Sequence, residues 1–171
     1  MSGRIESINA SRGGVPKRSM FEALITERGL DGDRQRDPRF HGGPDRAIVL
    51  FSLDVIRALQ REGHPIAPGT TGENLTVSGL DWPATVPGSE LQIGEVRLRI
   101  TSYTSPCERI AFAFLDLDSR RISQKRHPGW SRLNARVLAG GLITVGDTVE
   151  VALSPSAPSP RAGRSAGPSR G

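Results

Sequence analysis

Residues 96–107 read VRLRITSYTSPC, in which Val96, Leu98 and Ile100 alternate with Arg97, Arg99 and Thr101 before the chain runs on to Pro106 and Cys107. Strict alternation of apolar and polar side chains is the mark of a β-strand with one face on a core and the other in water. Outward from this segment, further strands are expected at residues 4–8, 22–26, 47–51, 73–77, 133–138, 142–145 and 148–153, separated by Gly and Pro clusters. Helix signals are fewer. Ser52 is placed to cap a helix over residues 53–62, whose Val55, Ile56 and Leu59 share a face and which Gly63 closes; a second helix is expected over 108–117. The balance predicts a mainly β fold, a closed or nearly closed β-barrel with a few helical insertions. Two stretches 52 residues apart, Gly88-x-x-Leu91-x-Ile93-Gly94-Glu95 and Gly140-x-x-Ile143-x-Val145-Gly146-Asp147, share a pattern that signals either a hairpin at each or two unrelated turns.

The chain has 171 residues, 36% hydrophobic and 24% charged, which suits one globular domain, expected over residues 1–153. Residues 154–171 contain only Ser, Pro, Ala, Gly and Arg and are expected to form a disordered tail, because nothing in them can offset the entropy of ordering. The formal charge of +5 owes three units to Arg161, Arg164 and Arg170 in that tail, so it argues little for nucleic acid, and no specific nucleic-acid partner is expected. Cys107 is the only cysteine, which excludes an intramolecular disulfide and the Cys-rich zinc folds. No stretch looks like a signal peptide or a membrane span, so a cytoplasmic protein without a membrane partner is expected.

Chemistry concentrates in a few places. Cys107 follows Pro106, which pushes Ser105 toward an extended conformation and helps present the thiol. Arg109 and the start of a helix at Glu108 would favour a thiolate, which can serve as nucleophile, sulfur carrier or soft metal ligand; an inert buried cysteine is the alternative. In FHGGPDRAIVLFS, His41, Gly42, Gly43, Asp45 and Arg46 precede an apolar strand, and paired glycines beside an arginine make either an anion-binding loop or a bare tight turn. Asn74 in GENLT can donate and accept toward a polar heterocycle. Arg132, Asn134 and Arg136 fall on one face of a strand whose Leu133, Ala135 and Val137 face the core, giving either a polar row directed inward at a barrel mouth or a solvated face. His64 and His127 each precede a proline and are expected on the surface. Zincin, α/β-hydrolase, P-loop and standard Rossmann signatures are absent.

Together, GLDGDRQRDPRFHGGPDRAIVLFS, GENLTVSGL, LQIGEVRLRITSYTSPC and GWSRLNARVLAGGLITVGDTVEV resemble the MOSC domain, named after the C-terminal domain of molybdenum cofactor sulfurases, and in particular its small stand-alone bacterial members. The resemblance spans residues 4–153 with the motifs in the expected order. It implies a barrel like the pyruvate kinase β-domain and a pocket for the molybdenum cofactor, a molybdopterin; members of the family are also associated with pyridoxal phosphate. By similarity Cys107 would be the protein ligand to the metal. His41 and Asp45 would be candidate proton donors, and Gly42, Gly43, Arg46, Asn74, Arg132, Asn134 and Arg136 would surround the cofactor. The activity so implied is an oxidoreductase acting on small N-hydroxylated bases. No flavin, haem or iron–sulfur module accompanies the domain, so the electrons would come from a separate electron-donor protein. The rival, from another class, is a non-catalytic carrier of the cofactor or of sulfur as a persulfide on Cys107. A homodimer is left open, and the tail stands where relatives often carry a helical extension.

Overall fold

The structure, a computed structural model, describes residues 2–34 and 43–152. Eleven strands follow in order among them: β1 (Ser2–Ala10), β2 (Arg18–Met20), β3 (Glu22–Thr26), β4 (Gly29–Leu30), β5 (Ile48–Ser52), β6 (Leu75–Ser78), β7 (Glu90–Ile93), β8 (Val96–Tyr103), β9 (Leu133–Ala139), β10 (Gly141–Thr144) and β11 (Thr148–Ala152). One α-helix, α1 (Leu53–Arg61), links the parallel strands β5 and β6. Its expected cap is present, with Ser52 Oγ accepting from the Val55 N–H at 3.2 Å.

The large sheet runs β11-β7-β8-β9-β5-β6-β1, and β1 pairs back onto β11, so seven strands close into a barrel. The closed barrel expected from the sequence is therefore present. Closure needs β1 to serve three neighbours: its first residues pair with β11, its last with β2, and its other edge with β6. Alternation sends Val96, Leu98, Ile100, Leu133, Ala135, Ile48, Leu50, Leu75 and Val77 inward, where all are buried. The lumen is a packed apolar core. No helix among the described residues is long and apolar enough to cross a membrane.

The structure decides one alternative and corrects one expectation. The first echoed motif does make a hairpin, β7 to β8. The second does not: β10 pairs with β3 in a separate three-stranded sheet with β4, while β11 joins the barrel. The helix expected over 108–117 is a 3₁₀ turn, Glu108–Ala113, in which Ile110 and Ala113 are buried three residues apart, the spacing of a three-residue turn. Phe114 is already extended, so the turn stops there. A six-residue 3₁₀ turn has little macrodipole, and that argument for a thiolate at Cys107 lapses.

Closure also explains Gly3, whose neighbours on β6 and beyond leave no room for a side chain: a Cβ there would lie 2.4 Å from the Ser78 carbonyl oxygen and 2.8 Å from Leu80 Cγ. Gly3→Ala is expected to lose about 1–3 kcal/mol by overpacking. The measurement is urea unfolding, in which the midpoint should fall with the slope unchanged.

Candidate functional site

A cavity of about 420 Å³, within the roughly 300–1,000 Å³ typical of ligand sites, lies against the barrel wall. Val49 of β5 and Asn134 of β9 are register partners that line it, and both alternate with core-facing residues. The cavity therefore sits on the outer face of the wall, and the polar row beginning at Arg132 points away from the barrel lumen, so of the two readings of that row the inward one does not hold. The front is supplied by the β1–β2 connection (Gly14, Val15, Lys17), the turn before β6 (Thr71, Gly72) and the segment from Thr104 through the 3₁₀ turn after Cys107.

Five cationic side chains line the space, Lys17, Arg34, Arg46, Arg109 and Arg132, with no carboxylate among the described lining residues. Cys107 is there too, half-buried, with its carbonyl accepting from the Ser119 hydroxyl at 3.1 Å. Arg132 is 5% exposed. Its Nη1 donates to the Thr71 carbonyl and its Nη2 to the Ser105 carbonyl at 3.2 Å, while Nε is buried with no hydrogen-bond partner. Burial draws the guanidinium's pKa below the ordinary arginine value, opposed by the Glu73 carboxylate and by Cys107. The group stays cationic nonetheless. Asn134 donates to Ser102 Oγ at 3.0 Å and accepts from Thr104 Oγ1 at 2.9 Å.

Other expected residues are placed differently. Asn74 does not line the cavity: its Oδ1 accepts from the Val49 N–H at 2.9 Å and its Nδ2 donates to Asp33 Oδ2 at 2.9 Å, while its backbone N–H donates to the Val49 carbonyl at 2.8 Å. It is a clip extending the β5–β6 pairing, and it braces Asp33, which holds Lys17 Nζ at 2.7 Å. Arg136 continues the row out to the surface, where its Nε meets Asp45 Oδ1 at 2.7 Å. Asp45 is exposed and Gly43 opens the 3₁₀ turn Pro44–Arg46; neither lines the cavity. His41 and Gly42 lie outside the described residues, as does the expected tail at 154–171. Lys17, Arg34, Thr71, Thr104 and Phe112 were not singled out from the sequence. Lys17 does stand just after the Gly13-Gly14 pair and Pro16, a turn signal beside a cation.

The loop carrying Cys107 is pinned to the end of α1. Glu62 accepts from Arg121 Nη2 at 2.6 Å and from Nε at 3.2 Å, and the guanidinium carbon of Arg121 stands 4.1 Å from the centre of the Trp130 ring. His64, expected on the surface, is largely covered: Nδ1 accepts from the Leu115 N–H at 3.0 Å, Nε2 lies 3.5 Å from Glu62, and the ring meets Phe114 edge-on. Among the described residues no group of three or more His, Cys, Asp or Glu could hold a metal ion.

A model of the MOSC domain matches residues 37–150. Protein YiiM of Escherichia coli (strain K12) is 30% identical over 114 residues, covering 64% of this chain and 51% of that protein. Uncharacterized protein YflK of Bacillus subtilis (strain 168) is 26% identical over 140 residues, covering 81% of this chain and 62% of that one. The chain thus spans between about half and three-fifths of these relatives' length. The crystal structure of YiiM from Geobacillus stearothermophilus has the same fold, with a TM-score of 0.70 at 23% identity over 88% of this chain and 75% of that one.

The Glu62 clamp has a predictable pH dependence. Its carboxyl pKa is lowered, first by the Arg121 hydrogen bond, against burial and with help from the Arg121 and His64 charges. A depressed carboxyl pKa gives stabilisation that is complete above the unfolded glutamate value and is lost as pH falls through the lowered one. The Trp130 indole NMR resonance should therefore shift in that acidic window, and Glu62→Gln should remove the transition.

Proposed function

Because the chain belongs to the MOSC domain family, we propose that its cavity takes the molybdenum cofactor and that the protein is an oxidoreductase of N-hydroxylated compounds. The observation that carries this reading is the donor set: five cations, of which Lys17 is paired with Asp33 behind the wall, and one half-buried thiol, with no carboxylate among the described lining residues. The set fits the group. A soft thiolate suits a metal that brings its own sulfur ligands, clustered cations suit a phosphate, and the buried, unpartnered Nε–H of Arg132 is a donor waiting for an acceptor. The Thr71 and Thr104 hydroxyls, whose hydrogens go to Glu73 and Asn134, keep only acceptor capacity toward a pterin edge, and Asn134 keeps its second amide hydrogen.

When bound, the cofactor supplies two-electron reduction of the N–O bond; two electrons and two protons enter, and water leaves with the amine. The protein's own share is holding and orienting. Cys107 would ligate through its sulfur, the arginines and Lys17 would hold the anionic end, and the exposed Phe112 ring, which lines the same cavity, would cover part of the bound group. In this reading a separate donor protein supplies the electrons. The second reading, a carrier of cofactor or of persulfide sulfur, draws support from Cys107 being half-buried rather than sealed.

Elemental mass spectrometry and pterin fluorescence on protein made in a cofactor-synthesising host test the binding. The wild type should carry close to one molybdenum and one pterin per chain, and Cys107→Ala should lose the metal. Metal at wild-type level in Cys107→Ala would sink the ligand assignment. Turnover of an N-hydroxylated base with a chemical reductant then separates the readings: the enzyme consumes it, whereas a carrier leaves it intact and shows a persulfide mass on Cys107.

A further inference from the structure

Glu73 stands in the turn before β6 with its side chain completely buried. Its Oε1 accepts from the Gly69 N–H at 2.6 Å and from Thr76 Oγ1 at 3.2 Å, and its Oε2 accepts from Thr71 Oγ1 at 2.7 Å. Every donor is neutral. Arg132, the buried cation of the cavity wall, likewise spends Nη1 and Nη2 on neutral carbonyls, those of Thr71 and Ser105. Thr71 thus stands between the two charges, giving its carbonyl to Arg132 and its hydroxyl to Glu73. The charges make no direct ion pair, yet both are buried, so each acts on the other through a medium far less polar than water. Arg132 and Thr71 line the cavity, whereas Glu73 lies behind them.

We infer that Glu73 is a positioning residue and the cavity's internal counter-anion. It stabilises the buried charge of Arg132 when no ligand is present, and it holds the Thr71 turn that aims the guanidinium. Its negative charge also subtracts from the field that a ligand anion meets, so the cavity binds an oxyanion exchangeably. This rests on the reading that the cavity takes an anionic ligand.

Calorimetric titration and thermal melting with inorganic phosphate test it, on wild type and Glu73→Gln, which keeps an acceptor oxygen and removes the charge. Glu73→Gln should melt lower than wild type without phosphate, because a lone buried cation is left. It should nevertheless bind phosphate about five- to tenfold more tightly, with a correspondingly larger rise in melting temperature. A residue with only a structural role would give the opposite sign, since a loosened turn weakens binding. Folded Glu73→Gln with unchanged or weaker phosphate affinity therefore overturns the inference and leaves the anion-binding reading standing. No phosphate binding by either protein removes both. Should Glu73→Gln not fold, the double variant Glu73→Gln/Arg132→Met, which buries no charge, should fold and melt above Arg132→Met alone. A double variant that fails to fold, or is no more stable than Arg132→Met, overturns the inference.

Discussion

A charge removed from water must find an opposite charge or a full set of hydrogen bonds, and that requirement organises the outer wall of this barrel. Lys17, Asp33, Glu73 and Arg132 are all largely buried there. Lys17 and Asp33 meet directly, and Asn74 binds Asp33 while clipping Val49. Arg132 and Glu73 are held apart by Thr71. These bonds tie the β1–β2 connection, the turn before β6 and the start of β9 into one frame. Without the closed barrel behind them, none of the segments would have a rigid surface against which to place a charge.

Much of the fold was legible because it depends on local pattern. The alternation in β8 and β9 and the Ser52 cap of α1 depend on residues a few positions apart, and each was readable for that reason. The sequence leaves the β10–β11 turn open between a hairpin and a bare turn because the turn is genuine, with the Thr144 N–H held by Asp147 Oδ2 at 2.8 Å, while the partner of β10 is β3, more than a hundred residues earlier. A turn motif specifies a change of direction and says nothing of which strand waits beyond it. The apolar run after Cys107 reads as an α-helix because the three-residue spacing of Ile110 and Ala113 suits an α-helix and a 3₁₀ turn alike, and Phe114 adds a helical spacing of four although the chain is extended there.

The candidate site was legible in proportion to how much chemistry each residue advertises. A lone cysteine and arginines beside glycine or within a strand attract notice, and Cys107, Arg46, Arg132 and Asn134 do line the cavity. Lys17, Arg34 and Thr71 reach it only because barrel closure brings distant loops to one wall. Asn74 carries the same amide as Asn134, but its neighbours are the unpaired backbone groups of Val49, and those decide its use. Side-chain chemistry names the candidates, and long-range pairing chooses among them.

With its lumen filled and its cavity outside, β9 is read on alternate letters by two different demands. Leu133, Ala135 and Val137 answer to packing, whereas Arg132, Asn134 and Arg136 answer to whatever occupies or approaches the outer wall. The second set is not free of the first, because Arg132 holds the Thr71 and Ser105 carbonyls and Asn134 spans Ser102 and Thr104, so a change of ligand written into these positions would also be a change in what braces the strand.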